Sequence, residues 1–201
     1  AQDIQTGVLR PSSIDDGIMR TVARRPAAEY LAAALADQDG SYVARLAPQS
    51  SQYRALMKQK MALQEIAEHG SWGPTVPNGK YQAGDTGPGV IRLRNRLVAM
   101  GFLKPTASPE FDDTLMAAGR TFQLSHGLGP DGVAGQGTIA EINRSPVDRL
   151  RSVMVAMERE RWLPANRGAR HILVNQADFS AKIVDDGQVT FETRAVIGKN
   201  T

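Results

Sequence analysis

Apolar residues recur at helical spacing along most of the chain, and only after residue 168 does the period fall to two. The first 25 residues are loosely patterned and broken by Gly7, Pro11, Ser12, Ser13 and Gly17. Pro26 then opens a predicted helix, because a proline at the first helical position gives up an N–H that has no intrahelical partner there. Residues 27–36 are nearly all good helix formers, and Gly40 stops the run. Tyr53, Leu56, Met57, Leu63, Ile66 and Ala67 predict a second helix over 51–68, with Arg54, Lys58, Gln59, Glu65 and Glu68 on its other face. Prolines and glycines punctuate 70–79, which reads as a linker anchored by Trp72.

Three short helices are predicted next. Val90, Leu93, Leu97 and Met100 form one apolar face, closed by Gly101. Leu115, Ala118 and Phe122 mark the second helix. Thr138 and Glu141 have the spacing of a capping box, which predicts a third helix starting at Thr138. Between the last two, Asp131-Gly132 is a turn pair in which glycine accepts a positive φ without a Cβ clash. Ser145, Pro146 and Asp148 supply a cap, a first-position proline and an early acid for a further helix. Val147, Leu150, Met154 and Met157 are its predicted buried stripe, and Trp162, Leu163 and Pro164 end it.

The alternating segment begins with Ile172 and Val174 against Leu173 and Asn175. A second run covers 179–184, and Asp185-Asp186-Gly187 predicts a hairpin turn. In the third run Val189, Phe191, Thr193, Ala195 and Ile197 share a face, with Thr190, Glu192 and Arg194 opposite. Three strands with one apolar face must pack on something to be stable.

Composition narrows the classes. The chain of 201 residues is 41% apolar and 22% charged, which is globular rather than disordered or fibrous. No apolar run approaches the ~20 residues of a membrane span. With no cysteine at all, disulfides, thiolate metal sites, iron–sulfur clusters and a cysteine nucleophile are excluded from this sequence. The net charge of +3 amounts to the surplus of residues 145–170, where six arginines face three acids. A solvated helix face explains that surplus most simply. A nucleic-acid partner is not expected, because aromatics are only 5% and no groove-reading motif is present. The start at Ala1-Gln2, without an initiator Met, fits either a mature exported protein or a cloning boundary.

Candidate catalytic groups are few. His69, His126 and His171 lie more than forty residues apart and have no metal-ligand spacing. Glu158 and Glu160 could form an acid pair for sugar chemistry, but they alternate with Arg159 and Arg161 and read better as exposed salt bridges. Nucleophile-elbow, P-loop and dinucleotide fingerprints are missing. Neither a metal nor a cofactor is implied.

The middle of the chain nevertheless resembles a known family. Gly84-Asp85, the helix carrying Val90, Leu93, Leu97, Gly101 and Leu103, then Phe111-Asp112, Phe122-Gln123, Gly127-Leu128, Asp131-Gly132-Val133, Gly135, Gly137 and Thr138 follow the order and spacing of peptidoglycan-binding domain 1 across some sixty residues. Leu115 stands where that family often has Thr. The flanks resemble the large periplasmic L,D-transpeptidases. Tyr53 to Ala67 with Trp72 is similar to their helical scaffold, Arg161-Trp162-Leu163-Pro164 to their connector, and His171, Asn175, Phe179, Asp186-Gly187, Arg194, Gly198 and Lys199 to the opening strands of their catalytic domain.

The resemblance implies a chemistry that this sequence does not contain. Members of that family release a terminal D-alanine through a cysteine acyl-enzyme and pass the acyl group to an amine of another peptide stem, or to water. Their nucleophile lies in a Ser-His-Gly-Cys motif. Here Ser125-His126-Gly127 is followed by Leu128, which has no nucleophilic atom, and it sits inside the binding-module pattern.

The expected fold is therefore mainly α with a small C-terminal β portion. Its parts are a helical scaffold and linker (1–83), a three-helix peptidoglycan-binding module (84–144), a connector helix (145–168) and the first strands of an incomplete catalytic domain (169–201). Peptidoglycan is the expected partner and the bacterial periplasm or cell envelope the expected location. Strands 171–197 are expected to pair with another polypeptide or with the missing catalytic portion. No catalytic residue is assigned. Binding is assigned to the module running from Gly84 to Asn143, where Arg92 and Arg96 are candidates to meet stem carboxylates, although a solvated helix face also accounts for them. The parent is expected to be an enzyme and this chain by itself not, and a non-catalytic peptidoglycan-binding protein complete at residue 201 is the alternative.

Overall fold

The computed structural model describes residues 1–164, 166–176, 179–196 and 198. Among them are eight α-helices and, at the C-terminal end, one three-stranded antiparallel sheet, which is the mainly helical architecture expected. The helices are α1 (Gln2–Thr6), α2 (Ala27–Leu35), α3 (Tyr42–Leu46), α4 (Ser51–His69), α5 (Pro88–Ala99), α6 (Asp113–Ser125), α7 (Gln136–Asn143) and α8 (Pro146–Arg161). The strands β1 (Arg170–Asn175), β2 (Ser180–Asp185) and β3 (Gln188–Arg194) lie in the order β1-β2-β3. The chain divides into two compact units, one built from the described residues of 1–64, 150–173 and 182–191, the other from those of 65–149, 174–181 and 192–201.

In the first unit, Ser50 caps α4: its Oγ accepts from the Tyr53 N–H at 3.0 Å. Tyr53 and Leu63 of the predicted apolar face are buried. The surplus arginines are not simply solvated. The Arg161 guanidinium donates to the Ile4 carbonyl at 3.2 Å and to the Tyr53 hydroxyl at 2.7 Å, and pairs with Glu158 at 3.4 Å. Glu158 in turn accepts from the Leu9 N–H at 2.8 Å. Glu160 accepts from the Ser50 hydroxyl at 2.7 Å and pairs with Arg167. The reading of Glu158 and Glu160 as exposed salt bridges is therefore corrected, since their side chains are only 14% and 11% exposed. Glu158 and Arg161 fasten the loosely patterned N-terminal segment, which has too little side-chain periodicity to hold itself, while Glu160 ties the start of α4 to the end of α8. That segment forms α1 and a 3-10 turn at Pro11–Ser13, pieces too short for a periodic signal.

The second unit has a continuous core of Val76, Val90, Leu93, Leu97, Phe111, Leu115, Ala118, Phe122, Ala134, Ile139 and Ile142. Here α5 packs on α6. Gly101 ends α5 as expected, with φ 82°. The Phe102 N–H then reaches back to the Leu97 carbonyl at 2.8 Å, the closing bond of a Schellman motif. α6 ends the same way: Gly127 has φ 69°, and the Leu128 N–H bonds the Gln123 carbonyl at 2.9 Å. The Thr138 capping box is not formed. α7 begins two residues earlier, after Gly135, and Thr138 is buried within its first turn, where its hydroxyl faces Gln123. Glu141 pairs instead with Arg149 at 3.0 Å.

α8 starts as predicted, with Ser145 Oγ accepting from the Asp148 N–H at 3.1 Å. Its stripe is only partly buried. Met157 is 3% exposed, whereas Met154 is 51% exposed. Asp186 (φ 49°) and Gly187 (φ 80°) form the predicted hairpin turn between β2 and β3. Every residue of β3 is exposed, Val189 and Phe191 included. Ile197 and Lys199 lie outside the described residues.

Candidate functional site

The polar interior of the candidate module follows from where arginines fall on α5. Successive residues turn by about 100° around a helix, so Arg94 and Arg96 flank the stripe of Val90, Leu93 and Leu97 on either side, while Arg92 points further away. Both flanking arginines are buried, at 1% and 3% exposure, and Arg92 is exposed.

Arg94 ties α5 to the loop before α6. Its guanidinium donates to Thr106 Oγ1 at 2.7 Å, to the Glu110 carbonyl at 2.7 Å and to Asp112 Oδ2 at 2.8 Å. Asp112 is itself the N-cap of α6, accepting from the Leu115 N–H at 2.9 Å and from the Thr114 hydroxyl at 2.6 Å. Those donors, the Thr114 hydroxyl first, hold the Asp112 carboxyl well below the usual carboxylate range. The cap of α6 is thus Asp112, three residues before Leu115, and it uses only the backbone N–H of Leu115.

Arg96 performs a second fastening. It donates to the Ile142 carbonyl at 2.8 Å, at the end of α7, and to the Gly73 carbonyl at 2.6 Å. Burial, and then the nearby Arg149, pull its pKa below the ordinary guanidinium value. Neither reading of Arg96, ligand contact or solvated face, matches this placement: the side chain is interior and its donors are directed at backbone carbonyls. Asn143 adds two more bonds to the same segment, accepting from the Val76 N–H and donating to the Val76 carbonyl, both at 2.8 Å.

A third buried polar group organises the Asp131-Gly132 turn. Gln123 Oε1 accepts from the Gly132 N–H at 2.9 Å. Its Nε2 is shared among Asp131 Oδ1 at 2.9 Å, the Val133 carbonyl at 3.0 Å and Thr138 Oγ1 at 3.1 Å. Gly132 has φ 80°, the positive value expected of the turn. The Asp131 carboxyl is lowered, chiefly by the Val133 N–H and then by Gln123.

Ser125 and His126 form no catalytic dyad here. Ser125 Oγ lies 2.9 Å from His126 Nδ1, but that nitrogen also lies 2.8 Å from the Phe122 carbonyl, and the ring stacks on Phe122 at 4.0 Å. Burial lowers the His126 pKa. The triplet Ser125-His126-Gly127 is the terminator of α6, and that is its role in the fold. His69 and His171 are exposed or partly exposed, and among the described residues no group of three or more His, Cys, Asp or Glu could hold a metal.

The module interior leaves a cavity of only about 10 Å³, between α5, α6 and the 132–134 turn. That is room for a single water at most. That cavity admits no sugar or peptide; on the module's outer surface Arg92, Lys104, Arg120 and Arg144 are exposed.

Two family models match the chain. Residues 86–142 match the peptidoglycan binding domain, and residues 1–59 match the Scaffold domain. No curated protein matches the chain. The middle of the chain is thus similar to a peptidoglycan-binding module and its first part to a scaffold domain, a similarity that supports peptidoglycan as a partner. No helix among the described residues is long and apolar enough to cross a membrane.

Proposed function

We propose that these 201 residues are the scaffold and wall-binding part of an L,D-transpeptidase exported to the bacterial periplasm or cell envelope, whose cysteine acyl-enzyme chemistry lies outside this sequence. One observation carries the reading. A Scaffold match at 1–59 and a peptidoglycan-binding match at 86–142 are followed by an antiparallel sheet whose last strand is exposed along its whole length. That order is the one the resemblance of the flanking motifs implies. In this reading the residues from 169 onward are the start of a catalytic sheet, and β3 pairs with the remaining catalytic portion or with another polypeptide. Arg92, exposed on α5, meets carboxylates of the peptide stems; Arg94 and Arg96 shape the module that presents it. The lack of any cysteine supports a second reading, a non-catalytic wall-binding protein.

Sedimentation with purified peptidoglycan tests the binding function. The full chain is expected to pellet with the polymer, and Arg92→Glu to pellet less while keeping its helical circular dichroism. A chain that stays in the supernatant would remove peptidoglycan recognition from the proposal. The reading frame beyond Thr201 decides between the two readings: a continuing frame with a Ser-His-Gly-Cys segment supports the transpeptidase, and an immediate stop supports the non-catalytic protein. Because the chain has no thiol, incubation with a carbapenem should add no drug-sized mass.

A further inference from the structure

The first unit carries an open groove of about 590 Å³ that the wall-binding function does not use. Its walls are Leu9, Ile14 and Ile18 from the N-terminal segment and Met154, Met157 and Trp162 from α8 and its end. The lining is almost wholly carbon. Leu9, Ile14 and Met154 are exposed there at 49%, 51% and 51%, so apolar surface faces solvent on both walls. Two methionines in one groove provide side chains that reshape readily around a guest.

The charges at the groove have one sign left over. Glu158 lines it, but its carboxylate already accepts from the Leu9 N–H and pairs with Arg161. Arg161 is spent on Glu158, Ile4 and Tyr53. Arg159, which also lines the groove, is exposed, and its guanidinium has no partner among the described residues. Among the described residues Lys60 donates only to the neutral Gln64 amide, at 3.1 Å, and its charge meets no carboxylate. In addition, the Trp162 indole N–H is a buried donor with no acceptor among the described residues, in the groove wall itself.

We infer that this groove binds a small anionic amphiphile: an alkyl or comparable apolar chain laid along α8, with an anionic head held by Arg159 and Lys60. Size favours a small molecule over a protein. The volume falls within the range of about 300–1,000 Å³ typical of small-molecule sites. Twelve residues line the groove, against about 20–30 on each side of a stable protein interface. Chemistry favours a chain over an extended peptide, whose N–H and C=O groups would find almost no partners on these walls. The two unpaired cations select an anionic head over a neutral or cationic one.

The test is a titration of the full chain carrying Trp72→Phe, so that Trp162 is the sole tryptophan, with dodecyl phosphate below its micellar concentration. A saturable blue shift of Trp162 emission is expected in the micromolar range. Met154→Glu, which puts a charge on the apolar wall, should weaken binding by about tenfold or more. Arg159→Gln should weaken dodecyl phosphate severalfold and leave dodecyl maltoside unchanged. If Trp72→Phe does not fold, calorimetry on the unsubstituted chain reads the same comparison. The inference is overturned by a non-saturating response, by a folded Met154→Glu variant that binds as the parent does, or by dodecyl maltoside or dodecyltrimethylammonium binding as tightly as the phosphate. It is also overturned if an acidic amphipathic helical peptide displaces dodecyl phosphate with higher affinity, or if light scattering finds a dimer that Met154→Glu dissociates. Those results would assign the groove to a protein partner or to a second copy.

Discussion

Gly132 combines a backbone requirement with a packing one. Its φ is 80°, and a Cβ built there would stand 2.7 Å from Met116 Cγ and 2.9 Å from Arg120 Nε. Gly132→Val should therefore cost on the order of 1–3 kcal/mol, read by chemical denaturation. A neutral result would mean that the turn does not need this geometry. Asp112 gives a prediction with a sign. Its folded carboxyl titrates below the ordinary value of about 3.9, because the Thr114 hydroxyl, the Leu115 N–H, Ser108 and Arg94 all favour the charged form. The resulting stabilisation is complete above that ordinary value and disappears as pH falls through the lower, folded one. Asp112→Asn should thus be less stable than the parent near neutrality and show a flatter loss of stability between about pH 5 and pH 2. A parallel pH profile for the two proteins would show that Asp112 contributes nothing through its charge. Such residues were partly legible in the sequence. The Asp131-Gly132 turn was read from residue type alone. The buried arginines were not: a guanidinium beside an apolar stripe looks identical in sequence whether its partners are water or carbonyls brought from 23 and 46 residues away, as the Gly73 and Ile142 carbonyls are for Arg96.

The long helices were legible because periodicity accumulates with length. α4, α5 and α6 appear within a few residues of where their apolar spacing placed them, and Gly101 stops α5 as expected. Capping is harder to read, because a hydroxyl three residues before an acid is only one of several possible cap arrangements. The Thr138–Glu141 pair satisfied the pattern, yet both side chains had stronger alternatives, Gln123 for one and Arg149 for the other. Ser50, by contrast, does cap a helix. Its Oγ accepts from the Tyr53 N–H and donates to Glu160 at 2.7 Å, so one hydroxyl serves the start of α4 and the last turn of α8. Ser50→Ala should cost about 1–2 kcal/mol, toward the upper end of cap losses, because it also leaves Glu160 short of a donor. Thermal denaturation of Ser50→Ala beside Ser50→Thr checks this, with Thr expected to recover most of the loss. α1, α3 and the turn at Pro11–Ser13 escaped prediction because three to five residues carry too little pattern to stand out from a loop.

At the scale of the whole molecule, the exposed strand sets the next expectation. Among the described residues β3 is an edge strand, with Val189 at 53% and Phe191 at 55% exposure, and such edges recruit partners. If strand pairing is its role, light scattering should find self-association that rises with concentration and that a chain ending at Pro164 lacks. A strictly monomeric chain with fast amide exchange over 189–194 would refute it. The segment 70–79 has a different consequence. Its prolines and glycines gave it the composition of a linker, but Arg96 holds the Gly73 carbonyl and Asn143 brackets Val76 from both sides. A protease needs chain that can be drawn out of the fold, and this stretch cannot be drawn out without first unfastening the interior of α5 and α7. Trypsin has no Lys or Arg between His69 and Lys80 to cut, and proteases with broader tastes should spare the stretch as well. A digest of the native chain should accordingly yield a wall-binding fragment that keeps Trp72 and Val76 at its head, so a minimal expressible version should begin near residue 70 and not at Gly84.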